Sequence, residues 1–217
     1  MKRKLVLTIL LAVMISSGGG IGYYYWYQGA HYVKTEDARI QGDQYRVMPQ
    51  ISGEITHIDI QEGDTLQKNE AIAEQDVSNM DPSMIDKSII RAPISGNVIK
   101  VFSKEHETAA PGQAVALMVN MGEVYVSANI EETEITKIKE GQVVEISVDT
   151  LDGKVIAGKV RKIGQAANSV FSLIPATNTS GNFNKVKQRI PIEIAVNKPE
   201  DMELIPGTNV EIKIHIS

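Results

Sequence analysis

Residues 51–58, ISGEITHI, decide the fold, because residues 94–101, ISGNVIKV, repeat them 43 positions later without a gap. The same offset joins equal or similar residues further along both copies: Glu62 and Glu105, Thr65 and Thr108, Ala71 and Ala114, Ile72 and Val115, Ala73 and Ala116. Each copy alternates apolar and polar residues as a half-buried strand does, yet it is too short to bury an apolar face by itself. Two copies can pack around one core, as in a flattened barrel or a sandwich. The repeat therefore predicts one compact β module over residues 46–118.

Length, charge and cysteine content exclude several classes of protein. The chain has 217 residues and a net charge of −5, which fits one or two small domains and does not favour nucleic-acid binding. It contains no cysteine. Disulfides, thiolate metal sites, cysteine nucleophiles and lipid attachment at cysteine are therefore excluded.

The amino terminus has the pattern of a membrane anchor. Lys2-Arg3-Lys4 precedes residues 5–27, which carry no charge and, at about 1.5 Å per residue, can cross a hydrocarbon core of roughly 30 Å. The aromatic run at its end, residues 23–27, suits the membrane interface. Because a positive flank stays inside the cell, we predict a cytoplasmic tail over 1–4, a single-pass anchor over 5–27 and an extracytoplasmic bulk.

A cleaved signal peptide is the alternative for the same segment. Residues 5–15 would be its apolar region, and the small residues that follow would hold the cleavage site. A good A-x-A site is missing, and cleavage would leave the aromatic run unexplained, so we favour the uncleaved anchor. Both interpretations export the remainder of the chain.

The chain after residue 31 has a mostly β pattern. Four further segments are rich in β-branched residues and predict strands: 143–148, 155–163, 189–196 and 210–216. We expect them to form a β-barrel domain over 119–217, with 28–45 as a linker and first barrel strand. Residues 131–138 have helical spacing, with Ile135 and Ile138 on one face, and predict two turns of helix that close the barrel end.

Residues suited to catalysis do not form a recognisable motif. The histidines match no metal-binding spacing: His31, His57, His106 and His215. No nucleophile elbow, zinc-protease motif or phosphate loop occurs. The carboxylates at 131, 132 and 134 fit a solvated helix face. We therefore expect no enzyme, no cofactor and no metal site.

Several segments resemble one family, the membrane fusion proteins or HlyD-type periplasmic adaptors. Residues 88–98, SIIRAPISGNV, are similar to the start of the second lipoyl half in that family, and residues 48–55 are similar to the start of the first. Residues 32–42 resemble the segment after the anchor in the EmrA-like branch, and residues 171–192 give the most specific likeness. The resemblance covers nearly everything after residue 31.

This resemblance implies an architecture and a partner. The fold would be an N-terminal transmembrane helix, a lipoyl-like (barrel-sandwich) β domain and then a β-barrel domain. The partner would be an inner-membrane transporter, which in the EmrA branch is a proton-driven major-facilitator pump that exports drugs or other toxic amphiphiles. Such adaptors work as rings, so a homo-oligomer is expected.

The chain departs from the family between its two lipoyl halves. Members that reach an outer-membrane channel insert a long α-helical hairpin there, whereas residues 74–88 would give at most about 22 Å as one helix. Either the organism has no outer membrane, which we favour, or another component bridges the gap.

Partner contact is predicted for four apolar residues in an otherwise polar segment: Phe171, Leu173, Ile174 and Phe183. A loop that carries them must fold onto the barrel or meet a partner. Contact through the face of Ile135 and Ile138 is a weaker candidate.

Two other functions stay open at this point. One is an adaptor for an ATP-driven exporter of peptides or proteins. The other is a lipoyl or biotinyl carrier modified at Lys87, because Asp86-Lys87 is the dipeptide that presents the modified lysine in carriers. We favour the simpler interpretation of Lys87 as an exposed lysine in a polar connector, because its spacing to Pro93 is short for a carrier and an exported protein does not normally meet the lipoylation machinery.

Overall fold

The computed structural model describes residues 2–78, 81–149, 154–171, 187–199 and 202–216, with the side chains of 2–9 and 171 left out. The chain divides into two compact units. One comprises Met1–Arg39, Val126–Pro199 and Thr208–Ser217, and the other comprises Ile40–Tyr125 and Glu200–Gly207. We call them the barrel unit and the lipoyl-like unit.

A single long helix, α1 (Lys2–His31), begins the barrel unit. It continues through residues 28–31, where a linker was expected. His31 fits the last turn because a basic side chain there meets the negative end of the helix dipole. Within the part of the chain that the structure describes, no helix meets the length and hydropathy expected of a membrane span. The single-pass anchor over 5–27 therefore stays a prediction.

The lipoyl-like unit consists of two four-stranded sheets. The first sheet has the order β2-β9-β7-β4, with bounds Gln44–Val47, Ala116–Val119, Gly96–Val101 and Thr65–Leu66. The second has the order β6-β5-β3-β8, with bounds Ile89–Arg91, Ala71–Gln75, Gly53–Ile58 and Thr108–Ala109.

The sequence repeat corresponds to a structural repeat. β7 and β8 begin and end 43 residues after β3 and β4, so the two copies fold alike. Each copy gives a strand to the sheet of the other, because β4 pairs with β7 and β8 pairs with β3. The copies are therefore interlocked and share one core, as the repeat predicts.

The shared core is aliphatic and takes buried residues from both copies: Val47, Ile55, Ile60, Leu66, Ile72, Ala73, Ile90, Ala92, Val98, Ala109, Val115, Ala116 and Met118. A buried polar side chain also links the copies. The amide of Gln75 donates to the carbonyl oxygens of Ile51 (3.2 Å) and Ala109 (3.1 Å). Neither copy alone has enough strands to exclude water from this core.

The connector between the copies is short. It holds a 3₁₀ helix, Pro82–Met84, and one helical turn, α2 (Ile85–Ser88). Asp81 accepts a hydrogen bond from the Ser83 amide and so caps the 3₁₀ helix. This element stands in place of the long hairpin that the family resemblance would otherwise imply.

The barrel unit contains a closed barrel of strand order β1-β10-β13-β12-β11-β14. Its strands in that order are Tyr32–Gln41, Tyr125–Glu131, Arg189–Val196, Lys154–Ile163, Val143–Val148 and Asn209–His215. Buried residues alternate along β10, β11 and β14, as expected when one face lines a core. The strands predicted over 143–148 and 189–196 are confirmed without a shift. The third begins one residue early, at Lys154, and the fourth is shifted by one residue, to Asn209–His215.

The helix expected over 131–138 is shorter than predicted. Only α3 (Glu132–Ile135) is helical, and Thr136 ends it. The turn that follows is stabilised by the hydrogen bond from the Ile138 amide to the Ile135 carbonyl at 3.0 Å. Ile138 is buried, whereas Ile135 is half-buried. Gly141, with φ +87°, then turns the chain into β11, which leaves too few residues for a second helical turn.

Candidate docking surfaces

The four predicted contact residues lie at or beyond the edge of what the structure describes. Phe171 ends a 3₁₀ helix, Asn168–Phe171, and its side chain is outside the described residues. Leu173, Ile174 and Phe183 fall wholly outside them. Their role in partner contact stays a prediction.

The residues just before this segment are fixed to the barrel by polar contacts. Asn168 Nδ2 donates to Asn129 Oδ1 at 2.7 Å, and Asn129 lies on β10. The carbonyl of Asn129 in turn accepts a hydrogen bond from Thr35 Oγ1 at 3.3 Å. The amino-terminal side of the segment is thus tied to β10 and β1.

The residues just after the segment are fixed to the same strands by charge. Lys187 Nζ lies 2.8 Å from Glu131 Oε2, and Arg189 pairs with Asp37 on β1. The Glu132 amide donates to the Gln188 carbonyl at 3.0 Å. Both flanks of the segment therefore meet the carboxyl end of β10, which gives residues 172–186 a fixed point of origin on the barrel.

The connector of the lipoyl-like unit exposes apolar side chains that sequence reasoning missed: Val77, Met84 and Ile85. Hydrogen bonds shape the connector around them. Ser78 donates to Asp76 and Ser83 donates to Asp81, and these bonds lower the pKa of each carboxyl group. The sequence could have indicated this surface, because these apolar residues stand in a short segment that is otherwise polar.

Lys87 lies on α2 and is exposed. It stands in a helical turn that leads into β6. The adjacent Asp86 forms a long ion pair with Arg91 at 3.6 Å. These contacts suit a structural connector.

Aromatic rings follow one another along the last two turns of α1. Tyr23 lies 6.0 Å from Trp26 and 6.3 Å from Tyr27 between ring centroids. Tyr27 stacks on His31 at 4.2 Å. All of these aromatic rings are exposed, which is typical of residues at a membrane interface.

A polar cluster lies on the outer face of the barrel where β14 joins β11 and β1. Glu145 accepts hydrogen bonds from His215 Nε2 at 2.7 Å and from Lys213 Nζ at 3.1 Å. Both bonds lower the pKa of Glu145, and the bond from His215 has the larger effect. Lys213 also stands 4.1 Å above the Tyr32 ring. The cluster therefore links β14 to β11 and to β1.

Neither these surfaces nor the rest of the described chain offers a metal centre, since no group of three or more His, Asp or Glu residues there is placed to hold an ion. The described histidines at 57, 106 and 215 each face a carboxylate within 3.0 Å.

Two family models match the chain in sequence order. Residues 43–121 match the barrel-sandwich hybrid domain of the RND membrane fusion proteins. Residues 124–214 match the YknX-like beta-barrel domain.

Two relatives show how much of the chain is matched. The Bacillus subtilis protein named "Putative efflux system component YhbJ" is 33% identical over 191 residues, which is 86% of this chain and 81% of that protein. The colistin resistance protein EmrA of Acinetobacter baumannii is 32% identical over 130 residues. That match takes in 59% of this chain but only 37% of the relative, so the chain spans about a third of the relative's length.

Solved structures agree on the fold. The structure of the periplasmic adaptor protein EmrA superposes with a TM-score of 0.58 at 13% identity, over 86% of this chain and 99% of that one.

Proposed function

This chain belongs to the family of membrane fusion proteins, and from that premise we propose that it is the adaptor of an efflux system for drugs or other toxic compounds. Members of this family are membrane-anchored adaptors without catalytic activity of their own. Efflux is named in a relative that matches most of this chain, YhbJ, and multidrug export or colistin resistance is named in relatives of the EmrA type. The chemistry and the energy would come from the transporter.

The observation that carries this proposal is the match to YhbJ, which extends over both units of the chain. Relatives of the EmrA type match over a shorter range and are much longer, as the 37% share shows. A compact adaptor without the hairpin, with residues 74–88 in its place, is thus the form that this chain shares with the shorter relative.

The partner we propose is a major-facilitator transporter in the same membrane, bound by a ring of identical adaptor copies. Residues 5–27 would hold the adaptor in the membrane as a single span, with residues 1–4 in the cytoplasm. The proposed contact residues are the four apolar ones singled out by sequence: Phe171, Leu173, Ile174 and Phe183. The polar contacts of Asn168 and Lys187 with β10 support this choice, because they place both flanks of the segment at the same strand end.

Affinity purification of the full chain from its own membranes tests the proposal. We expect a major-facilitator transporter to co-purify, and we expect a strain without the adaptor to become more susceptible to amphiphilic toxic compounds. An ATP-driven exporter in its place would favour the secretion alternative. Unchanged susceptibility together with no transporter would contradict the adaptor role.

A variant with alanine at all four contact positions sharpens the experiment. It should lose the transporter while it keeps the circular dichroism spectrum of the wild type. Val155→Ala is the matched control, because Val155 is an exposed apolar residue on the barrel strand β12, 65% accessible, and should leave the complex intact.

A further inference from the structure

One histidine of the lipoyl-like unit stands between two carboxylates. His57 Nε2 lies 2.8 Å from Asp59 Oδ1, and His57 Nδ1 lies 2.7 Å from Glu105 Oε1. Glu105 accepts a hydrogen bond from Nδ1. An ionised carboxylate accepts hydrogen bonds, and only the protonated imidazolium carries an N–H on both ring nitrogens. The position of His57 between two carboxylates therefore favours the protonated ring.

This contact joins the two copies of the repeat. His57 lies on β3 of the first copy, and Glu105 lies in the turn before β8 of the second. The same carboxylate oxygen accepts the Ile58 amide at 3.3 Å. The next residue of the turn, His106, donates its amide to the Ile55 carbonyl at 2.8 Å. We call this contact of β3 with residues 104–107 the histidine edge.

The other copy contains an equivalent edge with different chemistry. Glu62 accepts the Val101 amide at 3.3 Å, the same distance as in the first edge, and Gly63 donates to the Val98 carbonyl at 2.8 Å. Lys100, 3.7 Å from Glu62, stands where His57 stands in the first copy. We call this the lysine edge. A lysine keeps its charge throughout the neutral range, whereas a histidine does not.

The surroundings of His57 favour its proton. Glu74 lies directly opposite on β5, and Glu54 on β3 pairs with His106 of the turn at 3.0 Å. The remaining charged groups of the turn are Lys104 and Glu107, and the Glu107 carboxylate accepts the Lys104 amide at 3.0 Å. The carboxylates that face the histidine edge thus outnumber its permanent cation, Lys104.

We propose that His57 is a proton-operated clasp, which holds the histidine edge closed when protonated and loosens that edge alone when the proton leaves. The hydrogen bond with Glu105, followed by the attraction of Asp59, raises the pKa of His57 above its ordinary 6.5. A raised pKa means that the clasp is fully closed below 6.5 and opens as pH rises through the higher, folded value. The lysine edge should not respond over that range.

Hydrogen exchange of the full chain in lipid nanodiscs tests the clasp, with the lysine edge as an internal reference. Peptides from residues 54–60 and 97–103 report the two edges, and exchange is normalised to that of the unfolded peptides. Between about pH 5.5 and about pH 8.5 we expect protection of 54–60 to fall about two- to fivefold relative to 97–103, the size set by an exposed ion pair. Equal responses of the two edges would overturn the proposal.

The substitution His57→Lys supplies the second arm, because it copies Lys100 into the first edge. The variant should keep its fold by circular dichroism and lose the pH dependence of 54–60. If the pH dependence persists in the folded variant, His57 is not its source. Asp86→Asn, in the connector outside both edges, is the control that should respond as the wild type does.

Discussion

Gly96 lies so close to Val119 that an added Cβ would stand 2.5 Å from the Val119 carbonyl oxygen. Gly96 begins β7 and Val119 ends β9, and the two strands are paired at this point. The obstacle is main chain, so it cannot rotate away as a side chain can. The glycine of the family-like segment 88–98 thus has a steric reason to be there.

Gly96→Ala is therefore expected to destabilise the lipoyl-like unit by about 1–3 kcal/mol, the usual cost of forcing an extra carbon into a packed site. Urea denaturation followed by circular dichroism would measure it. Gly19→Ala on α1 is the control, because a Cβ there meets nothing within 4 Å. Equal midpoints for Gly96→Ala and the wild type would show that the strands can separate without cost.

Two turn positions show how the repeat conserves backbone shape while it changes residues. Asn69 has φ 70°, and its equivalent 43 positions later is Gly112, with φ +90°. Both are in the left-handed region, which glycine and asparagine tolerate better than other residues.

We expect Gly112→Asn to be nearly neutral, because the chain already places asparagine at the equivalent turn. Gly112→Val should cost about 1–2 kcal/mol, since a β-branched side chain is strained at this φ. Differential scanning calorimetry of the two variants measures the difference. Space is not the issue, because a Cβ at Gly112 meets nothing within 4 Å. Identical melting of the two variants would contradict the conformational argument.

The fold was predictable where the sequence repeats or alternates. The 43-residue offset anticipates the equivalent strands β3 and β7, and β-branched runs anticipate β11 and β13. The exchange of β4 and β8 between sheets was not predictable, because two-residue strands carry no period. The extent of α1 was missed for a different reason: Gly29 resembles a helix stop, yet the helix continues through it to His31.

The candidate surfaces were less predictable than the fold. The segment around Leu173 was predicted because its apolar residues stand in a polar stretch. The contacts of its flanks with Asn129 and Glu131 were not predictable, because the folded barrel brings together residues that are distant in sequence. The contact of His57 with Glu105 likewise joins residues 48 positions apart. Metal-binding motifs are recognised by the sequence spacing of their ligands. That spacing does not detect a contact between a histidine and a carboxylate far apart in the sequence.

The cluster around Glu145 predicts a pH dependence of barrel stability. Because His215 and Lys213 lower the pKa of Glu145 below its ordinary 4.5, the carboxylate stabilises the fold above that value and loses its effect as pH falls through the folded value. Glu145→Gln should therefore lower the melting temperature near about pH 6 and have a smaller effect near about pH 3.

Thermal unfolding of both proteins across that range measures the effect. Glu211→Gln serves as the control, because Glu211 lies on β14 and makes no ion pair within the part of the chain that the structure describes. It should shift the melting temperature much less at either pH. A Glu145→Gln effect that is constant with pH would mean that the shape of the side chain matters and its charge does not.

The proposed anchor gives the last prediction. Removal of residues 5–27 should abolish efflux in cells without unfolding the remainder, because the barrel closes through β1 and β14, which lie outside that stretch. Deletion also removes the signal for export, so the shortened chain needs a cleavable signal peptide to reach the same side of the membrane. Circular dichroism checks its fold and a drug-efflux assay checks its function. Replacement of residues 5–27 by an unrelated transmembrane helix should restore efflux if anchoring alone is required, whereas efflux by the exported, anchor-free chain would show that the segment is dispensable.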